Sequence, residues 1–352
     1  MPSFPAFRWP AVRGGLLALT AAVLFGVSTP LVQRFGAGVG AFMTAALLYA
    51  GAALAGALLR RPIEREARVG RGDFPRLLAM AAAGAVVGPV ALAWGLQRTS
   101  GTSASLMLAL EAVFTALLAR YLYRERMDRR VWSAMVLLTV GGMVLILDQS
   151  RDSDARLMGL LAVLAATAAW GLDNTLSRAL AERDPGQVVA AKAVLGAAGT
   201  SFLAWALDEP LPDRHAMLGL LAIGATGYGL SLRFYLLAQR AFGAARTGSV
   251  FAFAPFIGAL FAVMLGDHST SWMMAAGGAL MLTGVLLHLA ESHVHEHAHD
   301  AMEHEHAHVH DDGHHDHIHD PMPGGEHSHR HRHESRQHEH PHVPDAHHLH
   351  RH

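Results

Sequence analysis

The fold is decided by apolar stretches such as GLLALTAAVLFGVSTPLVQ, residues 15–33, which contain no charged side chain. A bilayer core about 30 Å thick needs roughly 20 apolar residues in a helix. Similar stretches continue to residue 290, so the first one is interpreted as a membrane span and not as a cleaved signal peptide. We predict ten spans, at 15–33, 38–58, 76–96, 102–122, 131–148, 157–177, 187–207, 216–237, 245–266 and 271–290.

The composition supports a membrane protein. Hydrophobic residues make up 51% of the chain and charged residues only 16%, whereas soluble domains average about 25% charged residues. The chain has no cysteine, which excludes disulfides, thiolate metal sites and cysteine nucleophiles.

The charges divide the chain into two different parts. Residues 1–292 carry 24 Arg and Lys against 17 Asp and Glu, whereas residues 293–352 carry 4 Arg against 12 Asp and Glu. The second part also holds 23 of the 26 histidines. The net charge of −1 therefore results from cancellation between a basic body and an acidic tail.

The connections between the predicted spans predict the orientation. Arginine is concentrated in alternate connections, at 60–76, 120–130, 178–183 and 238–246, and is sparse or offset by acidic residues in the others. Arg and Lys favour the cytoplasmic side of a membrane. We therefore expect a bacterial inner-membrane protein with both termini in the cytoplasm.

The two halves of the membrane part resemble each other. Residues 96–101 match residues 238–243 at an offset of 142, and Phe114 then matches Phe256 at the same offset. Five spans per repeat would give the halves opposite topologies, an arrangement that recurs in transporters; chance similarity between apolar helices is the alternative. The predicted fold is an all-α polytopic membrane protein of ten transmembrane helices, arranged as two inverted five-helix repeats, with a disordered His-rich tail. Its predicted parts are a cytoplasmic N-terminus (1–14), a first repeat (15–148), a second repeat (149–290) and the tail (291–352).

Residues 15–290 resemble the drug/metabolite transporter superfamily, in its EamA-like branch. The resemblance is carried by LALEAVFTALLA at 108–119, by Glu125, and by AWGLDN at 169–174. It implies ten helices and transport, but the superfamily moves amino acids, nucleotide sugars, drugs and other small solutes. Some members have proline near position 112, where this chain has Glu111 followed by Ala112, so a carboxylate replaces an apolar kink. The chain also resembles the nickel-efflux members of the superfamily.

Four ionisable residues fall inside predicted spans. They are Glu111, Asp173 with Asn174 beside it, Lys192 and Arg233. A charge at the centre of a membrane costs about 2.5–3.5 kcal/mol on insertion scales, so such residues are candidates for the transport path. One interpretation is that Glu111 or Asp173 binds a cation or exchanges it for a proton; the other is that pairs such as Glu111 with Lys192, or Asp173 with Arg233, only fix helix packing.

The tail is predicted to bind metal. Neutral imidazole is a ligand for nickel, cobalt and zinc, and acidic side chains between the histidines can serve as further ligands. No apolar period exists in the tail, so it is predicted to be disordered. An expression tag, an inert extension and a pH-dependent role are the alternatives. The candidate ligands recur at short spacings: His293, His295, His297, His299, His304, His306, His308, His310, His314, His315, His317, His319, His327, His329, His331 and His333.

These patterns predict a transporter and not an enzyme. The sequence contains no phosphate-binding loop, nucleophile elbow or His-Glu-x-x-His motif, so we expect no prosthetic group, no nucleic-acid partner and coupling to an ion gradient, such as protons. The expected partners are the lipid bilayer and a metal-ion substrate; a homodimer is left open. The leading hypothesis is export of a divalent transition metal, nickel or cobalt, with the tail capturing the ion. The alternatives are an exporter of a small organic metabolite or drug with an accessory metal-buffering tail, and a membrane-anchored metal store or sensor.

Overall fold

The structure is a computed structural model of the 352-residue chain. It describes residues 9–59, 69–123, 127, 129–177, 180, 183–242, 244–267, 271–289, 294–299, 302–308, 327–333 and 336–341. The predicted ligands His293, His310, His314, His315, His317 and His319 lie outside these residues, as does Glu125.

The described part of the chain contains ten apolar helices that correspond to the predicted spans. They are α1 Arg13–Phe35, α2 Ala41–Leu58, α3 Arg71–Leu96, α4 Gly101–Tyr123, α5 Arg129–Arg151, α6 Asp154–Ser177, α7 Gly186–Ala206, α8 Arg214–Gln239, α9 Arg246–Met264 and α10 Trp272–His288. Helical backbone precedes α1 from Trp9. Nine of these helices are long and apolar enough to cross a membrane, and α10 is shorter. The prediction of an all-helical membrane body is confirmed, and the bounds differ from the predicted ones by at most five residues.

The outer surface of the helix bundle is apolar, as contact with lipid requires. Large side chains such as Leu54 and Phe202 are 58% and 61% exposed. Trp205, near the end of α7, and Trp272, at the start of α10, are also exposed. Tryptophan at helix ends is typical of the boundary between lipid and water.

Helix packing interlocks the two halves. α2 packs along α7 and α5 packs along α10, so corresponding helices of the two halves lie side by side. α1 packs against α8 and α9, and α6 packs against α3 and α4 in the same relation. Because successive helices cross in opposite directions, the start of α1 and the end of α10 lie on one side, here called the terminus side. The connections α1–α2, α3–α4, α5–α6, α7–α8 and α9–α10 lie on the opposite side, here called the far side.

Four helices are irregular in their middle, at positions that correspond between the halves. α3 contains a π-helical segment at Ala82–Val87, and α8 contains one at Gly224–Leu230, which begins 142 residues later. α4 tightens to a 3₁₀ segment at Leu108–Leu110, and α9 is interrupted by a turn before Ala254. π-helical segments are rare and occur frequently at functional sites. Irregular backbone inside a membrane is tolerated only where protein or a cavity surrounds it, so these segments mark the centre of the bundle.

The structure differs from the predicted disordered tail in four segments. β1 Val294–His299 pairs with β4 Arg336–Pro341, and β2 Met302–His308 pairs with β3 His327–His333, both antiparallel. Composition predicts disorder because the tail has few apolar residues. Composition takes no account of the order of residues, and here residue types alternate with the period of two that suits an extended strand.

Candidate transport site

A buried ion pair joins α6 to α7 inside the bundle. The Lys192 ammonium donates a hydrogen bond to Oδ2 of Asp173. The two side chains are only 12% and 6% exposed, so the pair is removed from lipid and water. Oδ1 of Asp173 is buried and has no hydrogen-bond partner within the described residues. This oxygen is therefore an unused acceptor beside a positive charge.

A second polar pair joins α4 to α6. The side-chain amide of Asn174 donates to Oε1 of Glu111 at 2.5 Å. Glu111 is the first residue of the helical segment that follows the 3₁₀ turn of α4. Because Asp173 and Asn174 are consecutive, the two pairs share one turn of α6.

The π-helical segment of α3 supplies a backbone acceptor to the same region. The carbonyl of Gly84 accepts hydrogen bonds from the Tyr49 hydroxyl at 2.5 Å and from the Trp170 indole at 2.9 Å. A Cβ added to Gly84 would run into the carboxyl group of Asp173. The absence of a side chain at position 84 therefore lets α3 approach the buried carboxylate of α6.

Aromatic rings form a wall next to these polar groups. The ring of Phe25 packs against Trp170, Tyr228 and Phe251, with centroid distances of 6.1, 6.0 and 5.4 Å. Tyr49 packs edge-on against Tyr228 at 5.8 Å. The Tyr228 hydroxyl is buried and has no hydrogen-bond partner among the described residues. Tyr228 lies in the π-helical segment of α8, so both irregular segments contribute to the same region.

The structure brings together four of the five predicted transport-path residues. Glu111, Asp173, Asn174 and Lys192 are joined through the two pairs on α6. Arg233 lies apart, because its guanidinium donates to the backbone carbonyl of Leu59 at the terminus-side end of α2. The packing pairs predicted as the alternative are wrong in their partners: Lys192 pairs with Asp173 and not with Glu111, and Arg233 does not pair with Asp173.

The charges of this site favour a cation. Two carboxyl groups and one ammonium group give a net charge of −1 when all three are ionised. The atoms that could contact a cation are the carboxylate oxygens of Glu111 and Asp173 and the side-chain amide of Asn174, which can present its oxygen or its nitrogen. Within the part of the chain whose side chains are described, no group of three or more His, Asp or Glu residues converges on one point. The oxygen donors that this region offers to a cation are the carboxyl groups of Glu111 and Asp173 and the amide of Asn174.

Sequence reasoning missed the aromatic and backbone components of the site. Tyr49 and Tyr228 carry no charge, so a search for ionisable residues in spans does not select them. Trp170 belongs to a stretch that carries the family resemblance, but no role followed from it. The spacing of 142 relates the two glycine-containing π-helical segments, in which Gly84 and Thr226 occupy corresponding positions, but it does not select the aromatic residues.

Fold and site together define a polytopic helical transporter with a polar site between two interlocked halves. The chain matches the EamA-like transporter family over residues 12–147 and 157–290, so it belongs to that family, within the drug/metabolite transporter superfamily. It is a membrane transporter of this type, and the family is one of transporters and not of enzymes.

Two curated relatives are similar over more than half of the chain. An "Uncharacterized transporter" of Methanothermobacter thermautotrophicus is 29% identical over 65% of this chain and 68% of its own length. A "Probable amino-acid metabolite efflux pump" of Salmonella typhimurium is 25% identical over 53% of this chain and 66% of its own length. A solved crystal structure shares the fold, with a TM-score of 0.57 and 20% identity over 78% of this chain and 94% of that one.

Proposed function

We propose that this chain is an inner-membrane secondary transporter that exports a divalent transition-metal cation, nickel or cobalt, from the cytoplasm in exchange for protons. The observation that carries the proposal is the fusion of an EamA-type membrane body to a tail with 23 of the 26 histidines of the chain. Imidazole is the protein ligand that best suits these metals when cysteine is absent.

The position of the tail supports the direction of transport. The tail follows α10, so it leaves the bundle on the terminus side. The connections on that side include 60–76 and 120–130, which hold most of the loop arginines. By the positive-inside rule this side faces the cytoplasm, and a tethered chelator there raises the metal concentration at the inward mouth of the transporter.

The central site supplies the chemistry of exchange. In this proposal the metal ion binds between Glu111 and Asp173, where it replaces the Lys192 ammonium as the counter-charge of Asp173. Carboxylate and amide oxygens hold a first-row divalent ion less tightly than histidine does, which suits a site that must release its cargo. Protons neutralise the same carboxylates on the return step, so metal and protons move in opposite directions.

The direct test is uptake of radioactive nickel, cobalt and zinc into inside-out membrane vesicles that maintain a proton gradient. We expect gradient-dependent uptake of nickel or cobalt with the wild-type chain and its loss with Glu111→Gln or Asp173→Asn while the tail is intact. Asp154→Asn, at the start of α6 and away from the pairs, is the matched control and retains uptake. Unchanged nickel flux in both site variants would exclude this transport site.

A second candidate function is export of a small zwitterionic organic solute, with the tail as a separate metal buffer. The observation that favours it is the aromatic wall of Phe25, Tyr228 and Phe251 beside a paired carboxylate and ammonium, which can receive the ammonium and carboxylate of an amino acid. The printed name of the Salmonella typhimurium relative points to such solutes for that protein.

The two candidates differ in one measurement. In vesicles, export of a labelled amino acid that depends on Glu111, together with nickel flux that does not, would favour the second candidate.

A further inference from the structure

The register of the β2–β3 ladder in the tail places histidines opposite histidines. His304 pairs with His331, His306 with His329, and His308 with His327. The positions between them pair Glu303 with Arg332 and Glu305 with Arg330. Both strands therefore alternate histidine with another residue type, and the antiparallel pairing keeps the two patterns in step.

The alternation separates the two kinds of residue onto opposite faces. Successive residues of a strand belong to opposite faces of a ladder, so the His–His positions share one face and the Glu–Arg positions share the other. Opposite charges directly across a ladder stabilise the pairing, and a slip by one residue would put the histidines of β2 and those of β3 on opposite faces. The Glu–Arg positions therefore favour this register over its neighbours.

The β1–β4 ladder provides an internal contrast. It also places histidines opposite each other, at His295 with His340 and His297 with His338. Its other face sets Glu296 opposite Glu339, and like charges across a ladder are destabilising. The feature that favours the register is thus specific to β2–β3.

We propose that the β2–β3 ladder is a defined metal site, in which the cross-strand pairs His304/His331 and His306/His329 bind a divalent transition-metal ion. Residues directly across an antiparallel ladder have Cβ atoms about 4.5–5.5 Å apart, a spacing from which two imidazoles can reach one ion at about 2.0–2.1 Å. Metal binding then stabilises the pairing of β2 with β3. Metal affinity therefore depends on the register of the two strands and not only on the number of histidines. This proposal deepens the metal-capture role proposed for the tail, but it concerns binding and not transport.

The test disfavours the observed register of β2 and β3 while leaving every histidine in place. Glu303→Arg with Glu305→Arg places arginine opposite Arg332 and Arg330. In the purified full-length chain, nickel titration followed by calorimetry should show the tightest site weakened about tenfold or more. Adding Arg330→Glu and Arg332→Glu restores opposite charges with the order exchanged, and should recover the affinity to within about twofold.

The matched control is Asp311→Arg with Asp312→Arg, which changes the net charge by the same amount in the sequence between β2 and β3. It should leave the tightest site within about twofold of the wild-type value. The proposal is overturned if the Glu303/Glu305 variant binds nickel as this control does, or if the fourfold exchange does not recover binding. The first result would mean that histidine number or net charge sets the affinity, and the second that the Glu303 and Glu305 carboxylates act by a route other than strand register. Because the readout is binding, its failure is distinct from a failure of metal export, which is read as flux in vesicles.

Discussion

Glu111, Asp173 and Lys192 show what depth in the membrane can and cannot predict. Hydropathy places them inside spans, and the cost of burying a charge there marks them as candidates for function. It does not give the direction in which each helix presents them, so it does not identify their partners. The partners depend on contacts between α6, α7 and α4, which only the folded bundle defines.

The buried Asp173–Lys192 pair should respond differently to single and double substitution. Lys192→Met leaves a buried carboxylate without its counter-charge and should destabilise the chain by about 3–5 kcal/mol, whereas adding Asp173→Asn removes that charge and should recover most of the loss. Thermal unfolding in detergent measures both. Equal midpoints for the single and double variants would show that the pair is not coupled in this way.

Glu111 should matter for flux more than for stability. Glu111→Gln keeps an oxygen that can accept from Asn174 but removes the charge, so the unfolding midpoint should stay close to that of the wild type while transport falls by about tenfold or more. Initial rates of export from matched amounts of folded protein provide the measurement. Transport at wild-type rates would place the cation site elsewhere in the bundle.

At the level of the helix, the main features of the site come from irregular backbone. The 3₁₀ turn at Leu108–Leu110 precedes Glu111, and the π-helical segment at Ala82–Val87 presents the Gly84 carbonyl to Tyr49 and Trp170. Apolar periodicity predicts where a span begins and ends. It does not reveal a local change from α-helical to π-helical or 3₁₀ hydrogen bonding inside the span. The correspondence with Gly224–Leu230 became visible only in the structure.

Gly84 should tolerate no side chain. Gly84→Ala places a methyl group against the carboxyl group of Asp173, so overpacking should cost about 1–3 kcal/mol and reduce transport. Gly199→Ala on α7 is the matched control, since its added Cβ would meet only Val86 Cγ2 at 3.5 Å. The Gly84→Ala variant should have a lower unfolding midpoint and a lower export rate than the Gly199→Ala variant. Equal behaviour would mean that α3 can move away from α6 at no cost.

For the whole molecule, the two halves are held together at both sides by contacts at corresponding positions. On the terminus side, Arg183 forms an ion pair with Asp73 at 2.9 Å. On the far side, the carboxylate of Glu209 accepts from the backbone N–H groups of Phe42 and Met43, at 3.3 and 2.7 Å. Alternating access between sides requires each set of contacts to open in turn.

The absence of cysteine makes this opening measurable with a single introduced thiol. Thr115 lies on α4 in the same helical segment as Glu111, and Thr115→Cys provides a probe for a membrane-impermeant maleimide. Asp73→Asn should raise its labelling from the terminus side, and Glu209→Gln should raise its labelling from the far side. If both substitutions raised maleimide labelling from the same side, the two sets of contacts would not close the two sides separately.

We propose that a divalent metal captured by the tail leaves through Glu111 and Asp173 in exchange for protons. The most direct measurement uses the purified full-length chain in liposomes that contain a pH-sensitive dye. Nickel added on the side of the tail should drive protons out of the liposomes with the wild-type chain, and this proton movement should be absent with Glu111→Gln, whose tail is intact. The proposal would be contradicted if proton movement were the same with the wild-type chain and with Glu111→Gln, or if nickel entered through the wild-type chain without any proton movement.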